Sequence, residues 1–322
     1  MAKFERTLSK ELEAALRELA AMDDSNWWKD VLDCKDLLLA VRGGYLNVYK
    51  AGQSIFKIGP EIVDRKPQVK IHYKYLVKPK EENPYIEFDG EHFVVNPADV
   101  VQTRYQSSET LRNLINTAAR FSGEEKRGVA QIVGNEPKVV DVEIAFTRSG
   151  DPVKRPTAPR MDLAVLVPWK SGGARLVFCE AKCADNVELW KLEKKNVGDK
   201  PRIAVVSQIE KYQKFIGENE KAVNEAYVSV CKTLIGLHDQ KWNRKLDPLI
   251  KCVADQPTSL TIHPHVYLLV YAYGKDEKNG VLKNRLKTLR EKGNLGDQVI
   301  AKGKANQFKL SGDLINRITA KA

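Results

Sequence analysis

The 322-residue chain lacks any run approaching the ~20 consecutive apolar residues of a membrane-spanning helix, so a bilayer span is not expected. Its first residues, MAKFERTLSKELEAAL, mix charges of both signs without a continuous apolar stretch, which argues against a secretory signal. Cysteine is scarce. The five residues (Cys34, Cys179, Cys183, Cys231, Cys252) are an odd number without a CxxC pair, which fits a reduced, cytoplasmic protein better than a disulfide scaffold. Histidine is equally sparse. His263 and His265 flank Pro264, but even with Cys179 and Cys183 their spacing matches no common zinc site. There is no GxxxxGK[ST], so any coupling to ATP requires an ATPase on another chain. Ser229-xx-Lys232 lies in a plain helical stretch without the companion motifs of acyl-transfer enzymes.

What is present is a composition suited to a globular core, 43% hydrophobic and 30% charged, with a net charge of +11 and a pI near 9.2. A positive field favours polyanionic partners, nucleic acid foremost. The excess is uneven: from Gly274 onward there are 12 Lys and Arg against 5 Asp and Glu.

Two organisations follow one another. Residues 3–21 read as an amphipathic helix through Phe4, Leu8, Leu12, Leu16 and Leu19, and a second helix starts near Trp27. LLLAVR and YLNVYK, split by Gly43-Gly44, read as a hairpin, and further short strand patterns follow. An α+β domain of two helices and an antiparallel meander is expected over 1–100. After Pro97 the order is a helix (109–121), three strands (139–146, 161–167, 174–182), helices near 203–216 and 220–237, a strand (265–273), a basic helix (281–292) and a short strand near QVIAK. That order describes an α/β core over 101–322. The second and third strands are nearly continuous apolar runs, as expected of strands covered on both faces, and Ser171-Gly172-Gly173 joins them tightly.

Charges interrupt those two strands at chemically suggestive places. Asp162 opens the second strand and Glu180 closes the third. Glu180 and Lys182, two apart, share a face, with Ala181 pointing away. An acid two before a lysine also occurs at Asp33, Asp64, Glu124, Glu136, Glu193, Asp239 and Asp276, so the tripeptide alone says nothing. Only at Glu180 does it end a buried strand beside a hairpin partner carrying another acid, where charge is costly unless paired or metal-bound. An ion pair terminating a strand is the plain alternative.

The segment RMDLAVLV…LVFCEAK resembles the core motif of the PD-(D/E)XK nuclease superfamily, with Met161 where the family usually has proline. Gln208 and Tyr212, four apart in SQIEKYQKF, resemble the Gln-xxx-Tyr element of its RecB-like branch. The resemblance spans roughly 107–275. It implies a restriction-endonuclease-like mixed sheet flanked by helices, and a Mg²⁺-dependent deoxyribonuclease, an endonuclease rather than an exonuclease. Mn²⁺ would substitute for Mg²⁺. It further implies a place in genome or antiviral defence or DNA processing, and a homodimer or a partner protein. Asp162, Glu180 and the Ala181 carbonyl would hold the metal. Lys182 would position the attacking water or stabilise transition-state charge, Gln208 would reach towards metal or water, and Tyr212 would lie near DNA. The family often has a further acid; Glu109, Glu124, Glu125 and Glu143 are the candidates, with Glu143 favoured.

Away from that centre, the 281–292 helix sets Leu282, Leu286 and Leu289 on one face and offers Lys283, Arg285, Lys287 and Arg290 for phosphate contact. Trp27, Trp28, Tyr45, Tyr49, Tyr73 and Tyr75 could stack on bases, although aromatics in small sheets are more often core. The competing function is a nucleic-acid-binding or assembly subunit whose nuclease-like fold is catalytically silent.

Overall fold

A computed structural model describes residues 4–76, 85–94, 104–134, 136–146, 160–194 and 201–319. The chain divides into two compact units, Glu5–Gly123 with Ala226–Leu246, and Glu124–Glu225 with Asp247–Ala322 and Phe4. The expected boundary at 100/101 lies outside the described residues; the first unit runs on to Gly123 and takes back a later stretch of chain. Among the described residues no helix is long and apolar enough to cross a membrane.

In the first unit, helix α1 (Lys10–Ala21) begins later than the apolar spacing suggests because Ser9 caps it, its Oγ accepting the Leu12 N–H at 3.1 Å. Helix α2 (Trp27–Asp33) is capped by Asn26, whose side chain accepts from the backbone N–H groups of Trp28 and Lys29. Strands β1 (Leu38–Val41), β2 (Leu46–Lys50), β3 (Gln53–Val63), β4 (Lys66–His72), β5 (Tyr85–Phe88) and β6 (Phe93–Val94) form a six-stranded antiparallel meander in sequence order. The β1–β2 turn uses Gly44 at φ +81°, a conformation glycine adopts without strain. Helix α3 (Ser107–Arg120) completes this part. The later stretch is tied in by Gln240, which accepts the Trp28 indole N–H at 3.2 Å, and by Asn243, whose amide donates to the Leu32 carbonyl at 2.8 Å. Trp27, Trp28, Tyr49 and Tyr75 are buried, and Lys57 sits over the Tyr45 ring at 4.3 Å, so these aromatics serve packing.

The second unit is mixed α/β. Helix α4 (Glu124–Gly134) precedes strands β7 (Val139–Ala145), β8 (Arg160–Pro168) and β9 (Ala174–Cys183). After them come α5 (Val187–Trp190), the strand pair β10 (Leu192–Glu193) and β11 (Arg202–Ile203), α6 (Ala204–Glu218) and the start of α7 (Glu220–Asp239). Then follow α8 (Pro248–Asp255), β12 (Leu260–Tyr271), α9 (Lys275–Asn279), α10 (Val281–Glu291), β13 (Val299–Ala301) and α11 (Leu310–Thr319). Five strands make one sheet in the order β13-β12-β9-β8-β7; β8 is antiparallel to both β7 and β9, while β12 lies parallel to both β9 and β13. From Leu163 to Val167, and along nearly all of β9, every residue is buried. This is the signature of central strands covered on both faces. Gly173, in the β8–β9 connection, has to be glycine: a Cβ there would stand 2.6 Å from the Ser259 carbonyl oxygen.

Candidate active site

The pairing of β8 with β9 runs from Pro168↔Ala174 to Leu163↔Cys179. One step beyond, that register sets Asp162 opposite Glu180. Cross-strand neighbours share a face, and Lys182, two further along β9, joins them. Where the ladder stops, the Asp162 carboxylate takes over a backbone role: its Oδ2 accepts the Ala181 N–H at 2.7 Å. Two acids and a lysine are thereby fixed by strand geometry, on the neighbouring ends of two central strands.

The Lys182 side chain is buried, and its ammonium faces three carboxylates. Glu180 Oε1 is 2.8 Å away and Glu188 Oε2 2.7 Å, with Glu125 Oε1 at 3.7 Å. The Glu188 contact is a close ion pair without hydrogen-bond alignment. Burial works against the lysine charge, but the surrounding carboxylates outweigh it and hold the ammonium well above its usual range. For Glu180 the balance is reversed. Burial pushes its carboxyl up to about 7, although Lys182 pulls the other way. Burial, reinforced by the Glu180 charge, also raises Asp162, and burial raises Glu125.

Helix α6 brings Gln208 and Tyr212 to the same centre. Gln208 Nε2 donates to Tyr212 Oη at 3.1 Å, while Gln208 Oε1 is buried and has no hydrogen-bond partner. Tyr212 is buried; burial first, and then the Glu180 charge, keeps its hydroxyl protonated far beyond the usual range. It packs on Phe146 at 5.7 Å between ring centroids, so its ring is a wall of the site rather than an open stacking platform.

The donor set suits a hard cation. Glu180 Oε2, like Gln208 Oε1, is a buried acceptor without a hydrogen-bond partner, and two carboxylates repel each other beside it. Oxygen donors left over in a polar pocket suit Mg²⁺, which takes few protein ligands and retains several waters. Among the described residues, however, no three of His, Cys, Asp and Glu are grouped as a metal cage. A cation here would be held by Asp162 and Glu180, with backbone oxygen and water completing its shell.

Compared with protein-family models, with curated proteins and with solved structures, the chain matches none. The geometry therefore carries the functional argument alone.

Of the candidates for a further acid, Glu125 is the one placed beside Lys182, at 3.7 Å. Glu143 stands between Lys126 (3.5 Å) and Arg160 (3.8 Å) on β7. A bulge in the β7–β8 pairing between Val139 and Asp141, and a positive φ of 52° at Glu143 itself, interrupt the regular alternation of β7. Glu124 is exposed, and Glu109 lies in the other unit. Helix α10 buries Leu282, Leu286 and Leu289, and most of its basic residues have partners of their own. Arg285 donates to the Trp190 carbonyl at 2.9 Å and lies 5.1 Å from that residue's ring centroid, Arg290 donates to the Val299 carbonyl at 3.4 Å, and Lys287 pairs with Glu291 at 4.0 Å. Lys283 is exposed. Two arginines offered for phosphate are thus engaged with the fold. Glu188 and Asn186 escaped the sequence reading. Asn186 caps α5 through the Glu188 N–H at 2.8 Å and donates to Glu125 Oε2 at 2.6 Å, linking two of the acids around Lys182. The one available signal was an Asn-x-Glu shortly after the strand carrying the motif.

Proposed function

We propose that the protein is a metal-dependent nuclease of the PD-(D/E)XK type, with a restriction-endonuclease-like core, that hydrolyses DNA phosphodiester bonds. One observation carries the reading: Asp162, Glu180 and Lys182 meet at adjacent ends of β8 and β9, where the neighbouring residues of β9 are apolar. The net charge of +11 supports a polyanionic substrate.

Bound to Asp162, Glu180 and the Ala181 carbonyl, Mg²⁺ (or Mn²⁺) supplies charge neutralisation at the scissile phosphate and a more acidic water. The protein's own groups do the rest. Lys182 directs a fixed positive charge at the phosphate or at the attacking water. Gln208 is held by Tyr212 through its amide nitrogen, which leaves Oε1 to accept a hydrogen bond from an attacking water and aim it. Glu125 and Glu188 hold the ammonium in place. By analogy with the family, the biological setting is genome defence or DNA processing.

The test is incubation of supercoiled and linear plasmid with Mg²⁺, Mn²⁺ or EDTA, beside a Glu180→Ala control. Nicking of the supercoiled form that needs metal and is lost in the variant is expected. Full activity in a folded Glu180→Ala protein would sink the assignment. The second reading, a silent binding or assembly subunit, draws on the lack of a three-acid cage among the described residues. It requires DNA binding that is equal with and without Mg²⁺, and no cutting.

A further inference from the structure

We infer that Arg285 and Glu188 are positioning residues for Lys182, linked through α5, and that Arg285 is not a phosphate contact; the catalytic part of this inference rests on the nuclease reading above.

Helix α5 has only four residues, too few to be stable alone. Neighbouring side chains hold it. Asn186 caps its start and bonds Glu125; the Trp190 indole donates to the Ala184 carbonyl at 2.8 Å; Leu189 is fully buried. Its last carbonyl, at Trp190, accepts from Arg285, whose guanidinium also lies against the Trp190 ring. Arg285 is itself fixed, because it borders the face of α10 that buries Leu282, Leu286 and Leu289. Cation–π contact with the ring combined with donation to the carbonyl, both from one guanidinium, is a geometry lysine does not reproduce.

The helix so clamped carries one charged side chain inward. Glu188 reaches Lys182 Nζ at 2.7 Å, as close as Glu180 does. A lysine on a flexible four-carbon stem samples many rotamers unless its head is held, and catalytic groups lose effect steeply when displaced. Glu188, like Glu125 of α4, is a partner of Lys182 that comes from neither strand, and at 2.7 Å against 3.7 Å it is the nearer of the two, so it can hold the ammonium while Glu180 serves another role. Arg285 fixes the backbone from which Glu188 reaches.

The experiment uses the full chain and two readouts. In the first, Arg285→Ala, Arg285→Lys and Glu188→Gln are assayed for Mg²⁺-dependent plasmid cleavage across salt concentrations, with Lys283→Ala for comparison. Arg285→Ala is expected to lower kcat by about tenfold or more with KM nearly unchanged, as for a displaced catalytic group. Arg285→Lys, which keeps the charge, should fail to restore full kcat. A raised KM, an unchanged kcat and a flatter salt dependence in Arg285→Ala would make it a phosphate contact and overturn the inference. In the second readout, pulsed acetic anhydride labelling with mass spectrometry measures how fast Lys182 is acylated without metal or DNA. Labelling of Lys182 should rise several-fold in Glu188→Gln and in both Arg285 variants. Labelling unchanged from wild type in all of them contradicts the inference, whether or not the protein cuts DNA. If wild type cuts nothing in any metal, the nuclease reading falls and the labelling decides alone. Should Arg285→Ala fail to fold, Arg285→Lys and Glu188→Gln carry the same test.

Discussion

Strand β4 of the meander and strand β9 of the mixed sheet treat charge in opposite ways. Along β4, exposed or half-buried Lys66, Gln68, Lys70 and His72 alternate with buried Pro67, Val69 and Ile71. One face meets polar surroundings, so each lysine there has a home. Along β9 burial is nearly continuous, and Glu180 and Lys182 are buried with the apolar residues around them. A lysine on β4 therefore reports only which face is outside, whereas a charged pair on β9 violates the environment of its strand. Desolvating such a pair costs more than its attraction usually returns, so its presence asks for a chemical reason. The same residue type is uninformative in one strand and diagnostic in the other.

Substitutions sharpen the contrast. The largest effect is expected at the mixed-sheet site. Alanine at Asp162, Glu180 or Lys182 should reduce plasmid cleavage by at least about 10³-fold with the fold retained, as checked by circular dichroism beside the activity assay. Gly128→Ala, on α4 behind the site, should destabilise by about 1–3 kcal/mol in denaturant titration, because a Cβ there would lie 2.2 Å from the Tyr271 ring, whose hydroxyl bonds the Glu125 carbonyl. Gln208→Ala should lower kcat by about tenfold, the effect of losing one orienting group at the water. The smallest change is expected on the meander, where Lys57→Ala removes a partly exposed contact with the Tyr45 ring and should cost no more than about 0.5–1 kcal/mol. A meander lysine as critical to cleavage as Lys182 would break the comparison.

Proton linkage offers another handle. The Glu180 carboxyl, buried, titrates at about 7 against an ordinary 4.5. Between those values the folded protein binds more protons than the unfolded chain, so stability measured in EDTA should fall as pH rises from about 4.5 through 7. Thermal unfolding of Glu180→Gln in EDTA should lack that part of the decline. An identical pH profile in the variant would contradict the assignment of the shift to Glu180.

The parts of the molecule legible in sequence were those governed by local pattern. The continuous apolar runs of β8 and β9, their tight connection and the two-residue spacing of Glu180 and Lys182 convert directly into a shared face. Gln208 and Tyr212 meet because four residues make about one helical turn. What escaped was held by tertiary contacts. Helix α5 is a single turn stapled by Asn186, Trp190 and Arg285, and no periodicity announces four residues. The partners of Glu143 were equally hidden: on the irregular β7 backbone it stands between Lys126 and Arg160. Arg285 and Arg290 read as surface charge, yet each finds a backbone carbonyl that sequence spacing does not reveal.

The central claim is that the buried acids of β8 and β9 exist to hold a divalent cation. Titration calorimetry with Mn²⁺ on the wild-type protein and on Asp162→Ala and Glu180→Ala tests it most directly. Saturable binding in wild type that is lost or greatly weakened in both variants is the predicted result. Equal binding in all three proteins, or none in wild type, would contradict it.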